Sequence, residues 1–482
     1  MNTLAVKKTS LNVFFSFLLL LIFAGIGSII IVIEPQMALL AAFVLVVSIA
    51  VILIDPFLIL LLLIALASLN SLQIITSKFP ALSLTKVLFL PLFFVVVWNI
   101  GVNKKQVNFK PVMIYLILFI ASATCATIMS EFKITAISFL RKYYSLFLLY
   151  FLIVQMTDTL KKLMAVLVTM LISCTLSAMI GLGGVFWGIS TAKYAMNPET
   201  ERLVGLSILD PNTTASMLLV AFFIGSILMI ESKKTWAKIL FGISSCIILL
   251  GIVFTFSRGI SLAILSGIAI MGWNYRKKIS ILKVAGIGFL LFLLVLPFIP
   301  TNYWARMNSL SALFTDEVMD VSMRRRYSYH AIGAKLIAHY PLFGIGPGNY
   351  PRYHEMDEHR YLTDTYIGGK VNHNTFLSIW VENGIFGMLT FMLLIIFSLK
   401  ALSDRINPKN AENLQPEYRA VPRIIFVASA TYFVSCFFLH GDFTKYLWVL
   451  LALAPTVSSF YAPNTFIKPS LNQSQQKTGL AA

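Results

Sequence analysis

Apolar runs long enough to cross a bilayer recur along almost the whole chain, separated mostly by short polar connections. A hydrocarbon core about 30 Å thick needs roughly 20 apolar residues per helix. Windows of that kind fall near residues 11–33, 37–54, 56–69, 84–100, 111–129, 134–156, 163–187, 213–230, 236–255, 259–273, 281–300, 374–398, 421–439 and 443–462. The pattern predicts about fourteen spans, or twelve if the short third run and the second form one hairpin. Ten-residue segments of alternating hydrophobicity are absent, which argues against a β-barrel. The expected fold is therefore an all-α integral membrane bundle of 12–14 helices. One long polar interruption divides it into an N-terminal bundle over 1–300, a loop over 301–373 and C-terminal helices over 374–463. The segment 464–482, rich in Asn, Gln, Ser and Lys, reads as a disordered cytoplasmic tail. The first run follows Lys7 and Lys8 without a small-residue cleavage site and reads as a retained helix. No fixed-period repeat and no symmetry between the halves is visible.

Basic residues orient the bundle, because Lys and Arg in short loops stay on the cytoplasmic side. NKKQVNFK (103–110), ESKKTWAK (231–238), NYRKKIS (274–280) and the connection from Lys400 to Arg423 share a face with Lys7 and Lys8. The opposite, outer face then receives a loop near 188–212, the junction at Arg258, the long segment and all six histidines. Arg141 and Lys142 fall inside the sixth span, about two turns below that outer surface, where they require a cavity that water reaches.

Composition agrees with this picture. Hydrophobic residues make up 58% of the chain and charged residues 12%, against about 45 to 50% apolar for soluble domains. The net charge of +18 is scattered over loops, which favours anionic lipid over nucleic acid as the partner. The four cysteines, Cys125, Cys174, Cys246 and Cys436, lie singly inside apolar runs, as packing residues do.

Three outer-face stretches carry candidate chemistry. ERLVGLSILDPNTTA (201–215) passes from a charged loop through Asp210, Pro211 and Asn212 into a helix. FTFSRG (254–259) sets Arg258 at a helix junction. PLFGIGPGNY (341–350) and NHNTFLSIWVENGIFG (372–387) join a Gly-rich turn to a helix start at His373 and Asn374. Each has an ordinary structural account: Arg258 snorkelling to headgroups, His373 solvated beside capping asparagines, Gly344, Gly346 and Gly348 forming a turn whose N–H groups are also free to bind phosphate. Arg324, Arg325 and Arg326 open an amphipathic helix. Glu382, two turns into an apolar run, needs a partner in the bundle. HEMDEH (354–359) spaces its histidines five apart, which does not suit a zinc-protease helix. No P-loop, dinucleotide fingerprint or nucleophile elbow is present. Several cations and a histidine on one membrane face suit a lipid diphosphate, since guanidinium binds phosphate bidentately and stays charged near a low dielectric.

These motifs resemble the O-antigen ligase and polysaccharide polymerase superfamily of bacterial membrane glycosyltransferases. The resemblance rests on Arg202, Gly205, Asp210, Pro211 and Asn212, on Ser257 to Gly259, on PLFGIGPGNY, and on HNTFL followed by ENGIFG, and it covers about 202–391. It implies a GT-C-like fold in the cytoplasmic (inner) membrane with its active site on the periplasmic face. It also implies a glycan donor on undecaprenyl diphosphate and no cofactor or metal. Arg202 and Arg258 would hold the diphosphate and His373 would assist the acceptor. To these, topology adds Arg141, and the arginine run adds Arg325. Asp210, Asn212, Asn374 and Glu382 are expected in support. The acceptor is another lipid-linked repeat unit, which receives the growing glycan, in a polymerase, lipid A core in a ligase, or protein in a relative of these, and the partners expected besides are export or chain-length proteins. A flippase or transporter is the alternative of another class.

Overall fold

The computed structural model describes residues 55–69, 84–187, 196–197, 202–203, 210–276, 286, 296–298, 304, 321–356, 370–406, 418–458 and 460. The spans expected at 11–33 and 37–54, most of that at 281–300, His359 and the tail 464–482 lie outside these residues.

The apolar windows become helices. They are α1 (Pro56–Leu69), α2 (Leu84–Gly101), α3 (Met113–Met129), α4 (Lys133–Met156), α5 (Leu160–Trp187), α6 (Pro211–Glu231), α7 (Thr235–Phe254), α8 (Arg258–Tyr275), α9 (Val321–His339), α10 (Tyr350–Glu355), α11 (Thr375–Ile406), α12 (Val421–Ser435) and α13 (Lys445–Ser458). Between α5 and α6, β1 (Met196–Asn197) pairs antiparallel with β2 (Arg202–Leu203). Among the described residues, five helices are long and apolar enough to cross a membrane: α4, α5, α6, α7 and α11. The chain is a multi-pass helical membrane protein.

Helix α6 has no polar face after its first turn and sits at the centre of one group of helices. A helix that is apolar all round suits either lipid or a protein interior, and here almost every residue from Pro211 to Leu228 is buried against other helices. It packs between α5, α7, α8 and α12. A second group forms where α3, α4, α11 and α13 meet. There Phe119 stands 5.2 Å from Tyr143, 5.6 Å from Phe391 and 5.9 Å from Trp448, centroid to centroid. Such aromatic pairs add about 0.5–1.5 kcal/mol each beyond the area they bury.

One polar clamp ties three helix ends together. Glu231 at the end of α6 accepts from Tyr275 Oη (2.8 Å) at the end of α8 and from Arg423 Nη1 (3.1 Å) at the start of α12. The starts of α6, α8 and α11 therefore lie on the opposite face, and the candidate site is built there. Of the long segment 301–373, α9, the Gly-rich turn and α10 pack on α11 through their own small core of Tyr329, Ile332, Leu336, Ile345, Tyr350, Tyr353 and Val381.

Candidate functional site

The DPN stretch is a helix start that also holds an arginine. Asp210 caps α6, its Oδ2 accepting from the Thr213 backbone N–H (3.1 Å) and hydroxyl (3.1 Å), and Pro211 occupies the first turn. Asn212 Oδ1 accepts from Arg202 Nη2 (3.1 Å) and from Ser257 Oγ (2.8 Å), while its Nδ2 donates to Asp210 Oδ1 (3.2 Å). Arg202 Nε donates to the Thr255 carbonyl (2.6 Å). The guanidinium on β2 is thus fixed against the ends of α6 and α7. Phe256, with φ of 50°, turns the chain so that Ser257 takes the N-cap position and Arg258 opens α8.

His373 stands just ahead of α11. Asn374 Oδ1 accepts from the backbone N–H groups of Phe376 (3.0 Å) and Leu377 (3.1 Å), capping the helix. His373 itself has φ of 52°, a left-handed conformation that costs a non-glycine residue roughly 1–2 kcal/mol. Thr375 holds the loop in place: its N–H donates to the Cys436 carbonyl (2.9 Å), and its hydroxyl donates to the Leu439 carbonyl (2.8 Å) and accepts from Gly441 N–H (2.9 Å).

These three helix starts open on one cavity of about 230 Å³, lined by Arg202, Asp210, Asn212, Phe256, Arg258, Arg325, Arg326, Tyr329, Lys370 and His373. Among the described residues, four arginines and a lysine face a single carboxylate, Asp210. The N-termini of α6, α8 and α11 add partial positive charge of about +0.5 each. Burial first, and Arg326 next, push the His373 pKa down to about 4, with Asp210 opposing. The imidazole is therefore neutral at pH 7. The arrangement suits a group with two or more negative charges, as a diphosphate has. Among the described residues, no group of three or more His, Cys, Asp or Glu side chains is placed to hold a metal ion.

Of the residues singled out in the sequence, Arg202, Asp210, Asn212, Arg258, Arg325 and His373 share this cavity, and Asn374 stands behind it as the cap. Arg141 is not on its wall: it is exposed on α4, one position before Lys142, whose ammonium lies 3.6 Å from the Phe139 ring centre. Placing it by depth alone ignored the direction it takes around the helix. Glu382 is not there either. It is buried in α11 and accepts from the N–H groups of Gly348 (2.7 Å) and Tyr350 (3.3 Å). Gly344 N–H goes to the Tyr340 carbonyl (3.2 Å) and Gly346 N–H to the Glu382 carbonyl (2.9 Å). The turn's donors are thus committed to the protein, and the phosphate alternative for them fails. Arg326, Lys370 and Tyr329 join the site without having been singled out one by one. The arginine run pointed towards Arg326, whereas nothing in its sequence neighbourhood marks Lys370.

Residues 243–392 match the O-antigen ligase family model. The match includes Arg258, Arg325, Arg326, Lys370 and His373, and leaves Arg202, Asp210 and Asn212 on its N-terminal side. No curated protein matches the chain. With the apolar helices, the match to the O-antigen ligase model supports a place in the O-antigen ligase and polymerase superfamily and an enzymatic role in glycan ligation or polymerisation.

Proposed function

We propose that the protein transfers glycan from undecaprenyl diphosphate to an acceptor hydroxyl at the outer face of the bacterial cytoplasmic membrane, acting as a surface-polysaccharide polymerase. The observation that carries this reading is the gathering of Arg202, Arg258, Arg325, Arg326 and Lys370 with His373 around one cavity at three helix N-termini. The acceptor oxygen attacks the anomeric carbon, and the bond to the lipid diphosphate breaks with its electron pair leaving on the phosphate. Charge grows where the arginines stand, so they stabilise the transition state more than the ground state. His373, held neutral by burial and Arg326, takes the hydroxyl proton once the diphosphate has offset the cations around it. A single displacement inverts the anomeric configuration. No metal is required in this scheme, because guanidinium groups neutralise the leaving group.

The test uses purified protein in nanodiscs with undecaprenyl-diphosphate repeat units as the only glycan, read by gel and mass spectrometry. Wild type should build a ladder of longer lipid-linked glycans. Arg258→Ala should reduce turnover by about 100- to 1,000-fold, the usual cost of one electrostatic donor to a transition state. His373→Ala should reduce it by about 100- to 10,000-fold. Transfer only after lipid A core is added would make the protein a ligase, and no product with either acceptor would sink the transferase reading.

A further inference from the structure

Beside the His373 loop stands a second imidazole that the cavity does not include. His440, in the connection between α12 and α13, lies within electrostatic reach of His373. Thr375 binds Leu439 and Gly441 on either side of it, so hydrogen bonds tie the two histidine loops together.

The hydrogen bonds around His440 can be assigned proton by proton. Asn372 Oδ1 accepts from the Asn374 backbone N–H (3.3 Å), which fixes that atom as the amide oxygen. The Ser378 hydroxyl donates to it at 2.5 Å. Having spent its proton, Ser378 Oγ is left to accept from His440 Nδ1 at 2.7 Å. His440 therefore carries its neutral-state proton on Nδ1, and Nε2 presents a lone pair. That lone pair faces Asp442 Oδ1 at 3.5 Å. Asp442 is fully buried. Its Oδ2 accepts from Tyr143 Oη (2.8 Å), and its carbonyl accepts from Trp448 Nε1 (2.7 Å). Oδ1 has no hydrogen-bond partner among the described residues. A buried carboxylate oxygen without a donor is costly, and here it confronts a lone pair. One proton arriving at Nε2 answers both, creating an imidazolium against a carboxylate.

We propose that His440, paired with Asp442, receives at Nε2 the proton released by the acceptor hydroxyl during transfer, passed on from His373. The inference rests on the transferase reading above. In the balanced step the hydroxyl O–H bond breaks, the new C–O bond forms, and the electron pair of the old one departs with the diphosphate. The proton moves to His373 and then to His440, where Asp442 neutralises it. This returns His373 to its neutral form among the cations of Arg326 and Lys370, ready for the next acceptor. Asp442 acts through His440 and is a positioning residue. The other titratable groups within electrostatic reach of the pair are Lys142 and Tyr143 on α4, Glu382 on α11, and Tyr432 and Cys436 near the end of α12.

His440→Gln and Asp442→Asn test this, with binding of undecaprenyl diphosphate and single-turnover transfer from preloaded enzyme measured separately. Both variants should bind the lipid within about twofold of wild type and transfer at least about tenfold more slowly. In Asp442→Asn the pH–rate profile should change shape, because the carboxylate facing His440 Nε2 is gone. Added imidazole should restore part of the rate to His440→Ala. Wild-type rates and profiles in both substitutions would overturn the inference while leaving the transferase reading intact. So would a loss of rate that matches the loss of lipid binding, which is what a purely structural role produces. If wild type forms no glycosidic product, both fall together.

Discussion

At the scale of single residues, the site works by setting unlike charges against unlike environments. Arg202 and Arg258 keep their charge at a membrane boundary because guanidinium resists deprotonation, and neighbouring backbone and amide oxygens hold Arg202 in a fixed direction. His373 is the opposite case, a titratable group kept neutral by burial and by Arg326. A diphosphate bound among those arginines reverses the local field and favours the imidazolium. Binding of a diphosphate diester lipid near pH 5, above the His373 pKa of about 4, should therefore be accompanied by proton uptake. Calorimetry in buffers of different ionisation enthalpy measures that uptake, and His373→Gln should abolish it. Equal uptake in the variant would assign the proton to another group. The same depressed pKa works against the fold in acid. Between about pH 6.5 and 4 the unfolded chain takes a proton at His373 that the folded chain refuses, so stability falls as pH falls through that window.

At the scale of elements, the sequence motifs divide into those that meet the cavity and those that shape what meets it. The Gly-rich turn belongs to the second kind. Helix α11 is interrupted at Gly384, with φ of 65° and ψ of −168°, and the backbone freed there pairs with the turn: Ile345 N–H reaches the Val381 carbonyl (3.0 Å) and Ile385 N–H the Pro341 carbonyl (3.0 Å). A methyl group at Gly384 would run into the backbone of Leu342, besides the roughly 1–2 kcal/mol a left-handed residue costs. Gly384→Ala should lower the thermal midpoint and reduce turnover together, since the start of α11 carries His373. Glu382→Gln should behave similarly but more mildly, because the amide oxygen still accepts from one of the N–H groups of Gly348 and Tyr350 while its NH2 is set against the other. Thermal unfolding and turnover of the two variants check this, and a fully stable, fully active Gly384→Ala would contradict it.

At the scale of the whole molecule, helix polarity places the clamp of Glu231, Tyr275 and Arg423 on one face and the cationic cavity on the other. With the basic short loops on the clamp side, the proposed orientation puts the cavity outside. Right-side-out vesicles should then elongate externally supplied lipid-linked glycan, whereas inverted vesicles should not. Equal activity from both sides would favour a transporter, which needs access from each face. A cysteine placed in the loop of Lys104 and Lys105 should react with an impermeant thiol reagent only in inverted vesicles.

Hydropathy alone determined the helical membrane bundle, because a span in lipid must satisfy its own backbone and so announces itself as a run of apolar residues. It also marked Arg258, since a charged group at a span boundary is costly enough to need a reason, whereas Arg202 entered through the family resemblance, Arg325 through the arginine run, and Asp210, Asn212 and His373 through the motifs at helix starts. Only the tertiary structure decided which of them converge. Arg141 has the right depth and the wrong direction, Lys370 lies in a segment with no signal, and the Gly-rich turn spends its donors on Tyr340, Val381 and Glu382. His440 and Asp442 sit in a five-residue stretch, HGDFT, whose sequence gives no sign of the chemistry. Their meaning comes from Ser378 on α11 and Tyr143 on α4, which reach them from distant parts of the chain, and from Asn372, which takes the Ser378 proton. Depth and helical character are local properties of a chain in lipid. The direction of a side chain, and the partner that takes its proton, depend on packing between helices far apart in sequence.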